Sequence, residues 1–241
     1  MPALAHVEES LAIEPAELSQ TVRELDRFLD RYKPLMQRSE QRAHLGIYVG
    51  GLMSGLERKS VEPIATLNGL YRRPLQHFVG AGVWSDEAVR RQMRAHLVEE
   101  IGDAEGVLVI DGSGFKKQGS DSVGVARQWC GRLGKIDNCQ IGVYIGYSTG
   151  KGQSLLDARL YMPEEWIGDA DRRTATHVPQ DVSFKTSWQL ADDMLRGLEE
   201  EVPHAWVVGD DEFGRPGDFR DSLADRGQKY LLEVPRNTLV R

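Results

Sequence analysis

Apolar residues recur every three or four positions through the first hundred residues, and then the period changes. Leu18, Val22, Leu25, Leu29 and Tyr32 fall on one stripe of a helix. Pro15 suits its first turn and Pro34 breaks it. A second helix is expected over about residues 35–56, with Leu45, Val49 and Leu52 on one face. Gly50, Gly51 and Gly55 argue against it, since each glycine costs about 1 kcal/mol in a helix. Ser85 with Asp86 and Glu87 marks another helix start, and Val89, Met93, Leu97 and Ile101 continue it. "GDAEG" (102–106) closes that helix, and a domain boundary is expected there: a helical region over 1–103, then a second domain over 104–241.

The second part alternates. "VLVI" (107–110) reads as a strand buried on both faces. "SVGVARQWC", "CQIGVYIGYS" and "SLLDARLYMP" are rich in β-branched and aromatic residues, and Pro163 ends the last. A long loop is expected from Glu164 to Phe184, either functional or poorly ordered. Thr186 and Gln189 make a capping box ahead of Trp188, Ala191, Leu195, Leu198 and Val202. "AWVVGD" (205–210) is a strand, residues 216–227 a short helix, and "KYLLEV" (229–234) a strand. The early strands, joined by short turns, are expected to be antiparallel, and the late strand–helix–strand crossovers parallel. The fold class is α/β: a helical N-terminal region, then a mixed sheet flanked by helices.

A chain of 241 residues, 40% hydrophobic, suffices for one large domain or two small ones with a real core. Cys130 and Cys139 match no zinc spacing and read as reduced core residues. "MPALAHVEES" lacks the charged and apolar regions of a signal peptide, and no apolar stretch approaches the ~20 residues that cross a bilayer. A soluble, cytoplasmic protein is expected, with no membrane partner. The net charge of −7 argues against a general nucleic-acid coat but permits a local site. Residues 57–94 are locally basic, as is the stretch with Lys116, Lys117, Arg127, Arg132 and Lys135. A solvated charged face is the plain alternative for each.

Asp111 ends the first strand and admits two readings. It can open the turn made by Gly112, Ser113 and Gly114, or it can be a metal ligand held by a rigid strand. "AWVVGDDEFG" repeats the context: an apolar strand ending in aspartate, then a glycine-bearing turn. Strands lie about 4.8 Å apart, so neighbouring carboxylates at matching heights can share metal. Asp210 holds the position equivalent to Asp111, and Asp211 faces the other way if the strand continues.

With these residues in view, the chain resembles the DDE-superfamily insertion-sequence transposases, in particular the group seven-zero-one. The resemblance runs through 57–65, 75–79, "GVLVIDGSGFKKQGSDSVGVARQWCGRLGKIDNCQIGVYIGYS" (106–148), 155–166, 178–195 and "WVVGDDEFG" (206–214). It implies a ribonuclease-H-like catalytic core, with the first catalytic aspartate at Asp111 and the second at Asp210. Both would ligate Mg²⁺ or Mn²⁺, for cleavage of transposon ends and strand transfer into target DNA. Lys116, Lys117, Arg127 and Lys135 then become candidate phosphate contacts, against the alternative of solvated cations. Arg58, Lys59, Arg72 and Arg73 make the helical region a candidate holder of transposon ends. Such a protein would work at the bacterial nucleoid, as a homo-oligomer or with a full-length transposase.

The family's third acid is a glutamate on a later helix. Glu233 sits inside a strand, and Glu212 and Asp218 are too close to Asp210 to substitute. The sequence therefore reads as an N-terminal portion of a transposase. That leaves two expectations: an enzyme whose chemistry needs a further part, or an inactive DNA-binding or oligomerising fragment that regulates transposition.

Overall fold

The computed structural model describes residues 15–238. The acidic segment before Pro15, and the last three residues, lie outside them. Two compact units divide between Gln92 and Met93.

The first unit is helical: α1 (Pro15–Asp30), a 3₁₀ turn at Lys33–Leu35, α2 (Ser39–Met53), α3 (Val61–Leu67), α4 (Arg72–Gly80) and the start of α5 (Asp86–Ile101). Met36, Ile64, Ala65, Leu75 and Phe78 form its core. Among the described side chains of the expected stripe, Leu29 at the end of α1 and Tyr32 just beyond it are buried, Leu25 is half-buried and Val22 is exposed. The three-four spacing describes the helix correctly, but Val22 on the same stripe stays outside the core. Helix α2 forms despite its glycines because packing overrides propensity. Any side chain on Gly51 would overlap Ile64 of α3, so this glycine permits the close approach of the two helices. Gln41 secures the start of α2. Its side-chain oxygen accepts from the Arg38 N–H (3.1 Å), and its amide donates to the Val83 carbonyl (3.0 Å).

The second unit is built on a six-stranded mixed sheet: β1 (Val107–Lys116), β2 (Ala126–Cys130), β3 (Lys135–Thr149), β4 (Gly152–Leu160), β5 (Trp206–Gly209) and β6 (Tyr230–Leu232). The order is β2-β3-β1-β5-β6, with β4 also on β3. Strands β1 to β4 pair antiparallel, whereas β1 with β5 and β5 with β6 are parallel, as the connection lengths predict. Helices α8 (Ser187–Leu198) and α10 (Gly217–Asp225) supply the crossovers, and a single turn, α9 (Asp211–Gly214), comes directly after β5. Thr186 and Gln189 form the expected capping box on α8.

The main core lies on one face of the sheet. Leu108, Ile110, Val143, Ile145, Tyr147 and Val207 meet Met194, Leu195 and Leu198 of α8 and Phe219 and Leu223 of α10, with Leu97, Val98 and Ile101 of α5 alongside. The Tyr147 hydroxyl donates to the Pro203 carbonyl at 2.7 Å and accepts from the Asp103 N–H at 2.9 Å, which satisfies a buried phenol. Side chains alternate along a strand, so Val109 and Asp111 belong to the opposite face.

Residues 164–184 are not the continuous loop expected. They contain α6 (Glu164–Gly168) and α7 (Ala170–Ala175). Trp166 anchors them: it is buried with Val125 and Met162, its indole N–H donates to the Val125 carbonyl (2.8 Å), and the Arg172 guanidinium lies 3.6 Å over its ring. These helices are too short for periodicity to reveal. Among the described residues no helix is long and apolar enough to cross a membrane.

Candidate functional site: two aspartates beside one cross-strand pair in an open cleft

Asp111 lies in β1, paired with Tyr144 of β3. On its other side Ile110 pairs with Gly209 of β5. The next residues along the chain are Asp111, still in β1, and Asp210, the first residue past β5, so the two aspartates follow directly on one cross-strand pair, where neighbouring strands lie about 4.8 Å apart. By strand parity Asp111 points away from the α8/α10 core. Both aspartates are exposed and line one open cleft of about 840 Å³. Gly112, Ser113, Trp129, Arg132, Tyr161, Ser187 and Glu212 line it too. Asp111 does not end its strand as expected: β1 runs on through Gly112, Ser113 and Gly114 to Lys116, all paired with β3, so the site is midway along β1 and just past the end of β5.

The strand stops at Gly209, so the residues after it behave differently from an extended continuation. Asp210 is the N-cap of α9, and one of its carboxylate oxygens accepts from the Glu212 N–H at 3.1 Å. Asp211 belongs to the helical turn and pairs with Arg215. A β-carbon on Gly112 would lie 3.4 Å from a Glu212 carboxylate oxygen. Among the described residues no three His, Cys, Asp or Glu side chains gather as a metal cluster.

The donors suit a hard divalent cation. Two carboxylates on a rigid sheet supply oxygen ligands, and the open cleft leaves room for phosphate and water oxygens to complete the set. The Tyr161 phenol, on the cleft wall, is pushed up by burial and by the charges of Glu164 and Glu212, which keeps it a neutral hydrogen-bond donor.

The basic candidates fall in three places. Lys116 and Lys135 are exposed and share one partner, the Asp137 carboxylate, at 3.5 and 3.3 Å. The Asn138 N–H and these two cations hold the Asp137 carboxyl below its usual range. Arg127 is exposed on β2, and Lys117 is half-buried next to Lys116, its backbone N–H donating to Asn138. Arg58 and Lys59 are exposed in the first unit, in the turn between α2 and α3. Trp129, Tyr161 and Ser187 of the cleft wall carry no recognisable signal in the sequence, because only the folded β2–β3 hairpin, the end of β4 and the start of α8 bring them to one cleft with Asp111.

The family model described as DDE superfamily endonuclease matches residues 31–241. The chain is also 29% identical, over 232 residues, to a protein from Microchaete diplosiphon described as a probable transposase for insertion sequence element IS701. That alignment covers 95% of this chain and 58% of the relative, so the chain spans well under two thirds of the relative's length.

Proposed function

Given that the chain belongs to the DDE superfamily of endonucleases, whose members use divalent metal ions, we propose that its second unit is the catalytic core of an insertion-sequence transposase. The observation that carries this reading is the register of Ile110 with Gly209, which sets Asp111 and Asp210 side by side. Both would hold Mg²⁺ or Mn²⁺. The bound ions supply the charge that activates an attacking oxygen and stabilises a leaving one in phosphoryl displacement.

The remaining work falls to the protein's own groups. Asp111 is fixed in register by its pairing with Tyr144 of β3, directly after the last pair of β1 with β5, and Asp210 keeps one carboxylate oxygen on the cap. Arg132 stands on the cleft wall, where it can take a phosphate flanking the cut. Lys116, Lys117, Arg127 and Lys135 extend this basic path, and Arg58 and Lys59 give the first unit its own phosphate contacts. DNA is the partner: transposon ends and target, at the bacterial nucleoid.

A third carboxylate does not join Asp111 and Asp210 among the described residues. The second ion would therefore bind weakly, and cleavage requires an acid from a further segment, another copy or a full-length transposase. The alternative is an inactive fragment that occupies DNA ends and regulates transposition. Both are tested by titrating the chain with Mn²⁺ under electron paramagnetic resonance, then assaying DNA nicking with and without the remaining portion of a relative. Metal binding that depends on Asp111, with nicking restored by the added portion, supports the catalytic core. Metal binding unchanged in Asp111→Asn would sink it.

A further inference from the structure

The β2–β3 hairpin ends beside the two aspartates and presents an aromatic side chain to solvent. Trp129 is paired across the hairpin with Ile136, and they are 60% and 59% exposed. A tryptophan forfeits much of its burial energy in such a position. Trp166 of the same unit behaves otherwise, being fully buried with its indole N–H satisfied, and Trp206, the other exposed tryptophan of the unit, is less exposed at 43%. Trp129 also lines the cleft that holds Asp111 and Asp210, next to Arg132. Arg127 lies two residues before it on the same hairpin face, and Lys135 adjoins Ile136.

We propose that Trp129 stacks on an unpaired nucleobase next to the phosphate held in the cleft, with Ile136 as the apolar floor beneath it. This role rests on the reading of the cleft as a DNA-cleaving site. Every base offers a flat π-face, so an exposed indole among cations takes a base without regard to sequence. A base can reach the indole only when it is out of the duplex stack, so the site favours frayed or unpaired DNA ends over intact duplex. The arrangement makes Trp129 a positioning residue: gripping the flanking base fixes the register of the backbone over Asp111 and Asp210.

The test uses the whole chain at low salt with Ca²⁺, and two fluorescein-labelled DNAs followed by anisotropy: a blunt duplex, and the same duplex with a short unpaired 3′ tail. Wild type should prefer the tailed DNA. Trp129→Ala should weaken binding of the tailed DNA by about fivefold or more, and that of the blunt duplex by less than about twofold. Trp129→Phe should keep most of the preference. Because Trp129 is exposed, these variants should unfold with wild-type transitions. If both DNAs bind and Trp129→Ala binds the tailed one as wild type does, the stacking role falls while the cleft reading stands. If wild type binds neither DNA, both fall.

Discussion

Ile110 and Gly209 are partners across two parallel strands, and each is followed at once by an aspartate. Asp111→Asn and Asp210→Asn should each weaken Mn²⁺ binding at least tenfold, an amount equal to about 1.4 kcal/mol. Asparagine caps helices as well as aspartate does, so Asp210→Asn should leave stability unchanged, whereas Asp210→Ala should cost about 1 kcal/mol through the lost bond to Glu212 N–H. Calorimetric metal titration beside urea unfolding separates the two roles of this residue.

Gly114 leaves the space that Cys130 fills. A β-carbon on Gly114 would stand 2.6 Å from the Cys130 sulfur, with the Cys130 β-carbon at 3.5 Å. Gly114→Ala should destabilise by about 1–3 kcal/mol through overpacking. Adding Cys130→Ala removes the clashing sulfur and should recover most of that loss. A double-mutant cycle of unfolding free energies checks the coupling; simple additivity would show that the strand shifts instead.

Arg94 is nearly buried, donates to Glu201 at 2.8 Å, and lies 3.8 Å from Asp157, itself buried and bonded to Arg159 at 2.5 Å. Arg94→Met strips the network of one charge and should cost about 3 kcal/mol. Asp157→Leu in the same chain should return part of it. Urea midpoints of the two variants give the answer.

Cys139 is buried, and burial together with the neighbouring Cys130 thiol pushes its pKa up to about 11. The folded protein thus keeps a proton that the unfolded chain releases above its ordinary thiol range. Stability from this group is fully present below about pH 9 and is lost as pH rises toward 11. Unfolding midpoints should fall across that window, and less steeply in Cys139→Ala. Native protein should resist alkylation at both cysteines at neutral pH.

An apolar run ending in aspartate appears twice in the sequence, and the pairing of Ile110 with Gly209 makes the two candidate aspartates neighbours in the fold, although β1 continues past Asp111 to Lys116. Proline and caps mark ends reliably: Pro34 comes just after α1, and Thr186 opens α8. Helix α2 is obscured by Gly51, whose value appears only when Ile64 packs on it. Helices α3, α4, α6 and α7 have too few turns for a period. The strand β3 begins at Lys135, four residues before the apolar run suggests, because its exposed first residues are paired by β2 rather than by the core. Asp210 has the pattern of a strand residue and is a helix cap. Trp129 is invisible as a site residue, since exposure is a property of the fold and not of "ARQWC".

The length of β3 has a mechanical consequence. Fifteen residues run unbroken from the hairpin to Thr149, tied to β1 by ten consecutive partners and on the other edge to β2 and β4. Such a strand is a cantilever clamped along two thirds of its span, with the Trp129–Ile136 pair near the free tip. A load applied at that tip travels down the beam into β1 and is not absorbed at a hinge. A nucleic acid pulling on the tip would therefore tug directly on the strand that bears Asp111, so grip and chemistry share one rigid member.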